Sequence, residues 1–291
     1  MNDYAALCDR AETLLSRLEE IFPHRPAEPD WNAVAFRWRK QGHVGFLQPV
    51  AHPHRIGLEL LQGVEAQKKT LDQNTQQFVN GYPANNVLLT GARGTGKSSL
   101  IKALLNKYAD AGLRLIEVEK YDLIDLQDIV EKIYLRPERF ILYCDDLSFE
   151  AGEPGYKALK VVLDGSVAMA SENILVYATS NRRHLMPEYM RDNLETRHIG
   201  GEIHPSESVE EKTSLSERFG LWISFYPFDQ DEYLNIVRQW LGYFNIDEMT
   251  PLIREAALRW TIARGARNGR VAWQFARDWA GRHQAVHSSE T

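Results

Sequence analysis

The chain has few cysteines, no long hydrophobic run and no excess of positive charge, and each shortage excludes a class of protein. Only two cysteines occur among 291 residues, Cys8 and Cys144, so a disulfide-stapled fold is excluded and a reducing compartment is expected. No apolar stretch approaches the roughly 20 residues that a membrane-spanning helix needs. The first residues also lack the basic start and apolar run of an export signal. We therefore expect a cytoplasmic protein without a membrane partner.

The overall charge argues against a chain that binds polyanions with its whole surface. The formal net charge is −6, so nucleic acid or an anionic membrane would need a local basic face. The chain is 44% hydrophobic and 25% charged, which excludes collagen, low-complexity sequence and wholesale disorder. What remains is a globular chain long enough for one or two domains.

Short apolar strands alternate with helical stretches in the middle of the sequence. Strands are predicted at 87–90, 113–118, 140–144, 174–178 and 221–225. This alternation indicates βαβ units and a parallel sheet covered on both faces. Residues 229–285 show three helical stretches without a strand, and the polar segment 193–211 is expected to be a mobile loop.

The N-terminal part has a different pattern. Residues 4–22 have helical periodicity, residues 31–50 are aromatic and contain two glycines, and residues 58–79 are helical again. The aromatic stretch predicts a short hairpin.

A glycine-rich motif follows the strand at 87–90 and opens the next helix. Its eight residues, Gly-Ala-Arg-Gly-Thr-Gly-Lys-Ser, fit the pattern G-x-x-x-x-G-K-S/T. In this motif inward-facing backbone N–H groups and a helix N-terminus bind phosphate, the lysine contacts the β- and γ-phosphates, and the serine ligates Mg²⁺. An incidental lysine in a glycine-rich turn is the alternative. The predicted ATP-binding residues are Gly91, Ala92, Arg93, Gly94, Thr95, Gly96, Lys97, Ser98 and Ser99.

Two carboxylates follow the apolar strand at 140–144, where a hard cation such as Mg²⁺ would find oxygen ligands. We expect Asp145, with Ser98, to hold the metal and Asp146 to polarise the attacking water. Aspartate is one methylene shorter than glutamate, so turnover is expected to be slow, and Glu150 is an alternative base. A plain pair of loop carboxylates is the competing interpretation.

Three further polar residues are candidates for the same site. Asn181 follows the fourth strand and is expected to orient the water, unless it only stabilises a turn. Arg218 precedes the fifth strand and is expected to contact the γ-phosphate of a neighbouring subunit, unless it pairs within its own chain. Arg267 begins the last helix and is expected to contact the phosphates, with Arg270 as its substitute. The alternative for this arginine-rich stretch is a solvated basic helix.

In this order, the glycine loop, acidic pair, Asn181, Arg218 and Arg267 resemble the AAA+ ATPases. The resemblance assigns them as Walker A, Walker B, sensor 1, arginine finger and sensor 2, and the helical tail as the lid. The stretches Cys-Asp-Asp-Leu-Ser-Phe-Glu, Ala-Thr-Ser-Asn-Arg-Arg-His-Leu and Ser-Glu-Arg-Phe-Gly-Leu-Trp are more specific. They resemble the bacterial predicted-ATPase family known as domain of unknown function 815, over roughly residues 50–285.

This resemblance implies ATP binding, Mg²⁺-dependent hydrolysis and nucleotide-dependent assembly, with adenine near residues 56–63. The Arg218 segment is also similar to the bacterial replication initiators and helicase loaders. The implied fold is an AAA+ α/β core with a five-stranded parallel sheet and a C-terminal helical lid. The expected domains are an N-terminal appendage at 1–49, the nucleotide-binding core at 50–226 and the lid at 227–291.

Three functions fit these features. The first is an assembling ATPase that remodels an unknown protein partner through residues 1–49, as a homo-oligomer with a finger supplied in trans. The second is a DNA-associated switch or loader that uses Arg37, Arg39, Lys40 and the basic C-terminal helix. The third is a small-molecule P-loop kinase, although such kinases usually lack a separate lid with a late arginine. The acidic overall charge favours the first.

Overall fold

The computed structural model describes most of the chain. Its described parts are residues 10–14, 28–42, 44–149, 153–164, 172–181, 197–199, 202–204 and 215–289, with Tyr4, Leu7 and Leu185. Residues 10–14 are helical, as the periodicity of the first segment predicts.

A seven-stranded sheet forms the centre of the molecule. Its strands are β1 (Ala35–Gln41), β2 (Val44–Pro49), β3 (Val87–Gly91), β4 (Leu113–Glu117), β5 (Arg139–Cys144), β6 (Ile174–Ser180) and β9 (Leu221–Phe225). They are ordered β2-β1-β4-β5-β6-β3-β9. Neighbouring strands are parallel except for the β1–β2 hairpin. The parallel α/β sheet is confirmed.

The predicted count of five strands was too low, because the N-terminal hairpin joins the sheet. Strand β1 pairs in parallel with β4, with Phe36 opposite Ile116. Phe36, Trp38 and Leu47 are buried in the hairpin, so its aromatic content serves the core of the sheet. The sheet therefore begins within the segment that the sequence assigned to an appendage.

Helices cover both faces of the sheet. They are α1 (Glu65–Val79), α2 (Lys97–Tyr108), α3 (Leu126–Ile133), α4 (Pro154–Asp164), α5 (Gln230–Tyr243), α6 (Pro251–Arg264) and α7 (Gly269–Ser289). One core cluster contains residues of α1, α2 and the three last helices, and the other contains residues of α3 and α4. Strand β5 supplies both, because alternate side chains point to opposite faces: Tyr143 lies in the first cluster and Cys144 in the second.

Helices α5, α6 and α7 form a lid beside the sheet. A capping box between Asp229 and Glu232 begins α5, and Thr250 caps α6 ahead of Pro251. Gly265, with a φ of 64°, ends α6. The turn that follows brings the start of α7 back to the glycine loop, which it contacts directly.

A second, small sheet lies in the segment that the sequence suggested was an unpatterned loop. Strands β7 (Arg197–Ile199) and β8 (Glu202–His204) pair antiparallel, so six of these residues are ordered into a hairpin. None of the helices in the described part of the chain has both the length and the hydrophobicity needed to cross a bilayer.

Candidate active site

A cleft of about 800 Å³ lies at the carboxyl ends of β3, β5 and β6. Its floor is the glycine loop with Asp145, Asp146 and Asn181. One wall is the segment from His54 to Val64, and the lid forms the other. The end of a parallel sheet is where α/β proteins usually bind ligands, so the motifs found in the sequence converge where a ligand would be expected.

The glycine loop has a backbone that only glycine adopts easily. Gly91, Gly94 and Gly96 have φ values of 129°, 77° and 101°. A Cβ atom at Gly91 would lie 1.9 Å from the backbone oxygen of Phe225 in the neighbouring strand. At Gly96, which caps α2, a Cβ would meet nothing within 4 Å. The N-terminus of α2 therefore opens onto free space, as an anion site requires.

Lys97 is turned inward beneath the loop. Its side chain is buried, and its Nζ donates to the carbonyl oxygens of Gly91 and Ala92 at 2.7 and 2.8 Å and to Oδ1 of Asn181 at 3.0 Å. Burial lowers the pKa of Lys97 from its ordinary value, and the carboxylates of Asp145 and Asp146 partly oppose that shift. A buried cation is thus held beside the loop by oxygens that phosphate oxygens could replace.

Asp145 is fixed by two hydroxyl groups. Ser98 donates to its Oδ1 at 2.8 Å and Thr179 donates to the same oxygen at 2.6 Å. Burial pushes the pKa of Asp145 upward, but the hydrogen bonds from Thr179 and Ser98 outweigh it, so the pKa lies below its usual range. Thr179 is a site residue that the sequence did not single out, although its polar character at the end of β6 was a usable signal.

Asp146 and Asn181 face each other across the cleft floor. The Nδ2 of Asn181 donates to Oδ1 of Asp146, while its own Oδ1 accepts from Lys97. Asp146 has a φ of 50°, unusual outside glycine, and its N–H donates to Thr179 at 2.9 Å. Arg93 lies 3.7 Å from the other carboxylate oxygen. Asn181 therefore links the lysine to the second carboxylate, so three of the predicted residues form one network.

The residues present fit Mg²⁺ as well as a phosphate chain. Ser98 and Asp145 place two hard oxygens 2.8 Å apart beside the helix N-terminus. Among the described residues, no three His, Cys, Asp or Glu side chains gather into a metal cage. Mg²⁺ keeps water and phosphate oxygens as most of its ligands, so two protein oxygens are enough to hold it beside a phosphate chain. Ser98 and Asp145 are the residues that would hold it.

The other end of the cleft is apolar. Ile56, Leu61 and Val64 line it from one side, and Phe228 and Ile236 from the other. The segment expected to contact adenine does lie here. The sequence did not point to the lid aromatics that extend this end, although helical spacing relates two of them. They are Trp240, Tyr243 and Trp273, and the two tryptophan rings lie 4.6 Å apart in an edge-to-face arrangement.

The arginine that reaches the cleft from the lid is Arg270 rather than Arg267. Arg270 lines the cleft and is close enough to Lys97 to lower its pKa, whereas Arg267 is not part of the lining. The reason is the turn before α7: Asn268 Nδ2 donates to the carbonyl of Arg93, and Gly269 N–H donates to Gly94 at 2.9 Å. These contacts place the first turn of α7, and not the loop before it, next to the glycine loop.

Arg218 lies away from its own cleft. Its Nε donates to Oδ1 of Asp164 at the end of α4, so it makes the intrachain pair given above as the alternative. Its side chain keeps a quarter of its surface exposed. Glu150, the alternative base, lies outside the described residues.

A model of a protein family matches residues 31–283, which is most of the chain. The family's description is a protein of unknown function, DUF815. No curated protein sequence matches the chain.

Solved structures share the fold. A mutant of Thermotoga maritima RuvB is similar with a TM-score of 0.53 and 17% identity, covering 79% of this chain and 67% of RuvB. Aeropyrum pernix Orc1 in complex with DNA has a TM-score of 0.55 and 16% identity, covering 78% of this chain and 61% of Orc1. Both are AAA+ ATPases. The fold is therefore that of the AAA+ ATPases, and the chain spans about two thirds of the length of these relatives.

Proposed function

This chain belongs to the DUF815 family, and from that premise and the AAA+ fold we propose that it binds ATP with Mg²⁺ and hydrolyses it to ADP and phosphate. The observation that carries the proposal is the network at the cleft floor. Lys97, Asn181 and Asp146 are joined by hydrogen bonds, and Ser98 and Asp145 stand beside them. A cation, a pair of oxygens that fit a metal ion and a second carboxylate thus surround one helix N-terminus.

The proposed reaction is in-line attack of a water molecule on the γ-phosphate. Lys97 would exchange the carbonyls of Gly91 and Ala92 for phosphate oxygens and stabilise their charge. Asp146 would accept a hydrogen bond from the attacking water, and Asn181 would orient that water. Arg270 would contact the phosphates from the lid. Mg²⁺ at Ser98 and Asp145 supplies further neutralisation of the phosphate charge when bound.

Two contacts restrain Asp146 in the structure. Asn181 donates to one carboxylate oxygen, and Arg93 lies near the other. Aspartate is also shorter than glutamate. Both features support slow turnover, because a short carboxylate that already accepts from Asn181 and lies near Arg93 holds an additional water molecule less firmly.

The test is phosphate release from ATP by the wild type and by Asp146→Asn. We expect the variant to lose turnover by about 100-fold or more, which is the usual contribution of a general base, while its ATP affinity stays within about threefold. Loss of binding together with turnover would show that Asp146 holds the nucleotide instead. Phosphate transfer that requires an added small-molecule acceptor would favour a kinase.

We further propose that the chain assembles with copies of itself and remodels a protein partner. The N-terminal hairpin limits where that partner can bind, because β1 and β2 belong to the sheet. Deleting residues 1–27 should leave ATP binding intact and remove partner binding, whereas deleting residues 1–49 should unfold the core. The bait for a pull-down experiment is the Asp146→Asn variant kept in a buffer that contains ATP. If the shortened bait captures the same proteins as the full chain, residues 1–27 do not bind the partner.

The DNA-associated alternative has less support in β1 than the sequence suggested. Arg37 pairs with Glu117 at 2.7 Å, Arg39 with Glu119 at 2.6 Å and Lys40 with Asp125 at 2.6 Å. All three cations are therefore paired with carboxylates at the end of β4 and in the segment that follows it. What remains is the arginine-rich lid, and salt-sensitive retention of duplex DNA by the lid would favour this alternative.

A further inference from the structure

Two tyrosines occupy matching positions on neighbouring central strands but have opposite surroundings. Tyr143 of β5 lies directly across from Tyr177 of β6, and both side chains are fully buried. The hydroxyl of Tyr177 accepts from Nδ2 of Asn74 at 3.0 Å and shares a hydrogen bond of 2.9 Å with Thr75. The hydroxyl of Tyr143 has no partner in hydrogen-bonding geometry in the described structure.

An unsatisfied buried hydroxyl is costly, on the order of 1–3 kcal/mol, so a phenylalanine would serve packing at this position better. The strand pattern shows where the hydroxyl lies. Tyr143 and Asp145 are two residues apart at the end of β5, on the side that faces α2. Burial raises the pKa of Tyr143, and Asp145 and Ser98 are the side chains next to its hydroxyl. The unpaired hydroxyl of Tyr143 therefore lies beside the oxygens of Ser98 and Asp145, which fit a metal ion.

We propose that Tyr143 is a positioning residue for bound Mg²⁺, donating its hydroxyl hydrogen to an oxygen ligand at the Ser98–Asp145 edge. Asp145 already accepts from two hydroxyls in the free chain. Ser98 must release that bond if its oxygen is to ligate a metal, which leaves an acceptor site on Asp145 for a neighbouring donor. Tyr143 is the buried donor beside it. The inference rests on the proposed function, since it assigns a role only if the cleft takes Mg²⁺ with a nucleotide.

The experiment compares Tyr143→Phe with the matched control Tyr177→Phe. Thermal unfolding is measured without metal or nucleotide, and binding of a fluorescent ATP analogue is measured across a Mg²⁺ titration and in EDTA. Tyr143→Phe should keep or raise the melting temperature, because it removes an unpaired polar atom. It should also raise the half-saturating Mg²⁺ concentration by about three- to tenfold, with unchanged binding in EDTA.

Tyr177→Phe should do the reverse. It removes one buried hydrogen bond from Asn74 and one from Thr75, so it should lower the melting temperature and leave the Mg²⁺ dependence unchanged. The proposal is overturned if Tyr143→Phe does not alter the Mg²⁺ titration, or if it destabilises the free chain as Tyr177→Phe does. A wild type that binds no nucleotide at any Mg²⁺ concentration would instead refute the proposed function itself.

Discussion

The two ends of the cleft are built in different ways. At the phosphate end, the side chains come from strand ends and from the start of α2, and they are bonded to one another: Lys97 to Asn181, Ser98 to Asp145. At the apolar end, the lining comes from the segment between β2 and α1 and from the lid, and most of its side chains are apolar. The phosphate end is thus prearranged in the free chain, whereas the apolar end depends on how the lid sits.

This difference suggests a division of labour. A prearranged polar end costs little reorganisation when charge develops during a reaction. The lid contacts the glycine loop through Asn268 and Gly269, so a ligand that moves this loop would also move the lid. If this difference governs function, the chemistry belongs to the phosphate end and to a neighbouring subunit, and the lid contributes mainly binding.

The largest effect is expected from Arg218→Ala. An arginine supplied by a neighbouring subunit is worth about 10³–10⁵ in turnover in related phosphoryl-transfer enzymes, so the variant should lose turnover by at least about 1,000-fold. The wild-type rate per subunit should rise with protein concentration, and that rise should vanish in the variant. Steady-state phosphate release over a dilution series measures both.

The matched control is Asp164→Ala. It breaks the same ion pair but keeps the guanidinium of Arg218, so its turnover should remain close to that of the wild type. Equal losses in the two variants would mean that the pair only holds α4 in place, and the site would then be complete within one chain.

A smaller effect is expected at the lid. Arg270 lines the cleft and Arg267 does not, so Arg270→Ala should weaken ATP binding by about 10- to 100-fold, the loss of one charge-assisted hydrogen bond. Arg267→Ala should stay within about twofold. Calorimetric titration of both variants measures this difference. A larger loss in Arg267→Ala would restore the interpretation made from the sequence.

The smallest effect is a pH dependence of stability. The pKa of Asp145 is lower in the folded chain than in the unfolded chain. Its contribution is therefore fully present above about pH 4, the ordinary range of an aspartate, and is lost as the pH falls through its folded value. Urea unfolding without nucleotide or metal, from pH 7 to pH 3, should show a difference between the wild type and Asp145→Asn that shrinks below about pH 4. Parallel profiles would contradict the hydrogen-bonding role of Ser98 and Thr179.

The phosphate end of the cleft could be predicted from the sequence because it is specified by local sequence patterns. A glycine loop must follow a strand and open a helix, and residues after neighbouring parallel strands must meet at one edge of the sheet. Residues 91–98, Asp145, Asp146 and Asn181 obey both rules, and the structure brings them together.

Other features depend on tertiary contacts that have no local signal. Whether Arg267 or Arg270 faces the cleft depends on how Asn268 and Gly269 meet the glycine loop. The hairpin at 31–50 was predicted, but its pairing with β4 is long-range, so the sheet gained two strands. The aromatic residues of the lid have a helical spacing that fits a buried core as well as a binding site. Only their position in the cleft shows that they line a binding site.

The most direct test of the central claim is a calorimetric titration of the wild type and of Lys97→Ala with ATP in the presence of Mg²⁺. Lys97 is the buried cation of the phosphate end, and removing such a group typically costs about 2–5 kcal/mol of binding. We predict that the wild type binds one ATP per chain and that Lys97→Ala weakens this binding by at least about 30-fold. Absence of binding in the wild type, or equal affinity in the variant, would contradict the assignment of this cleft as an ATP site.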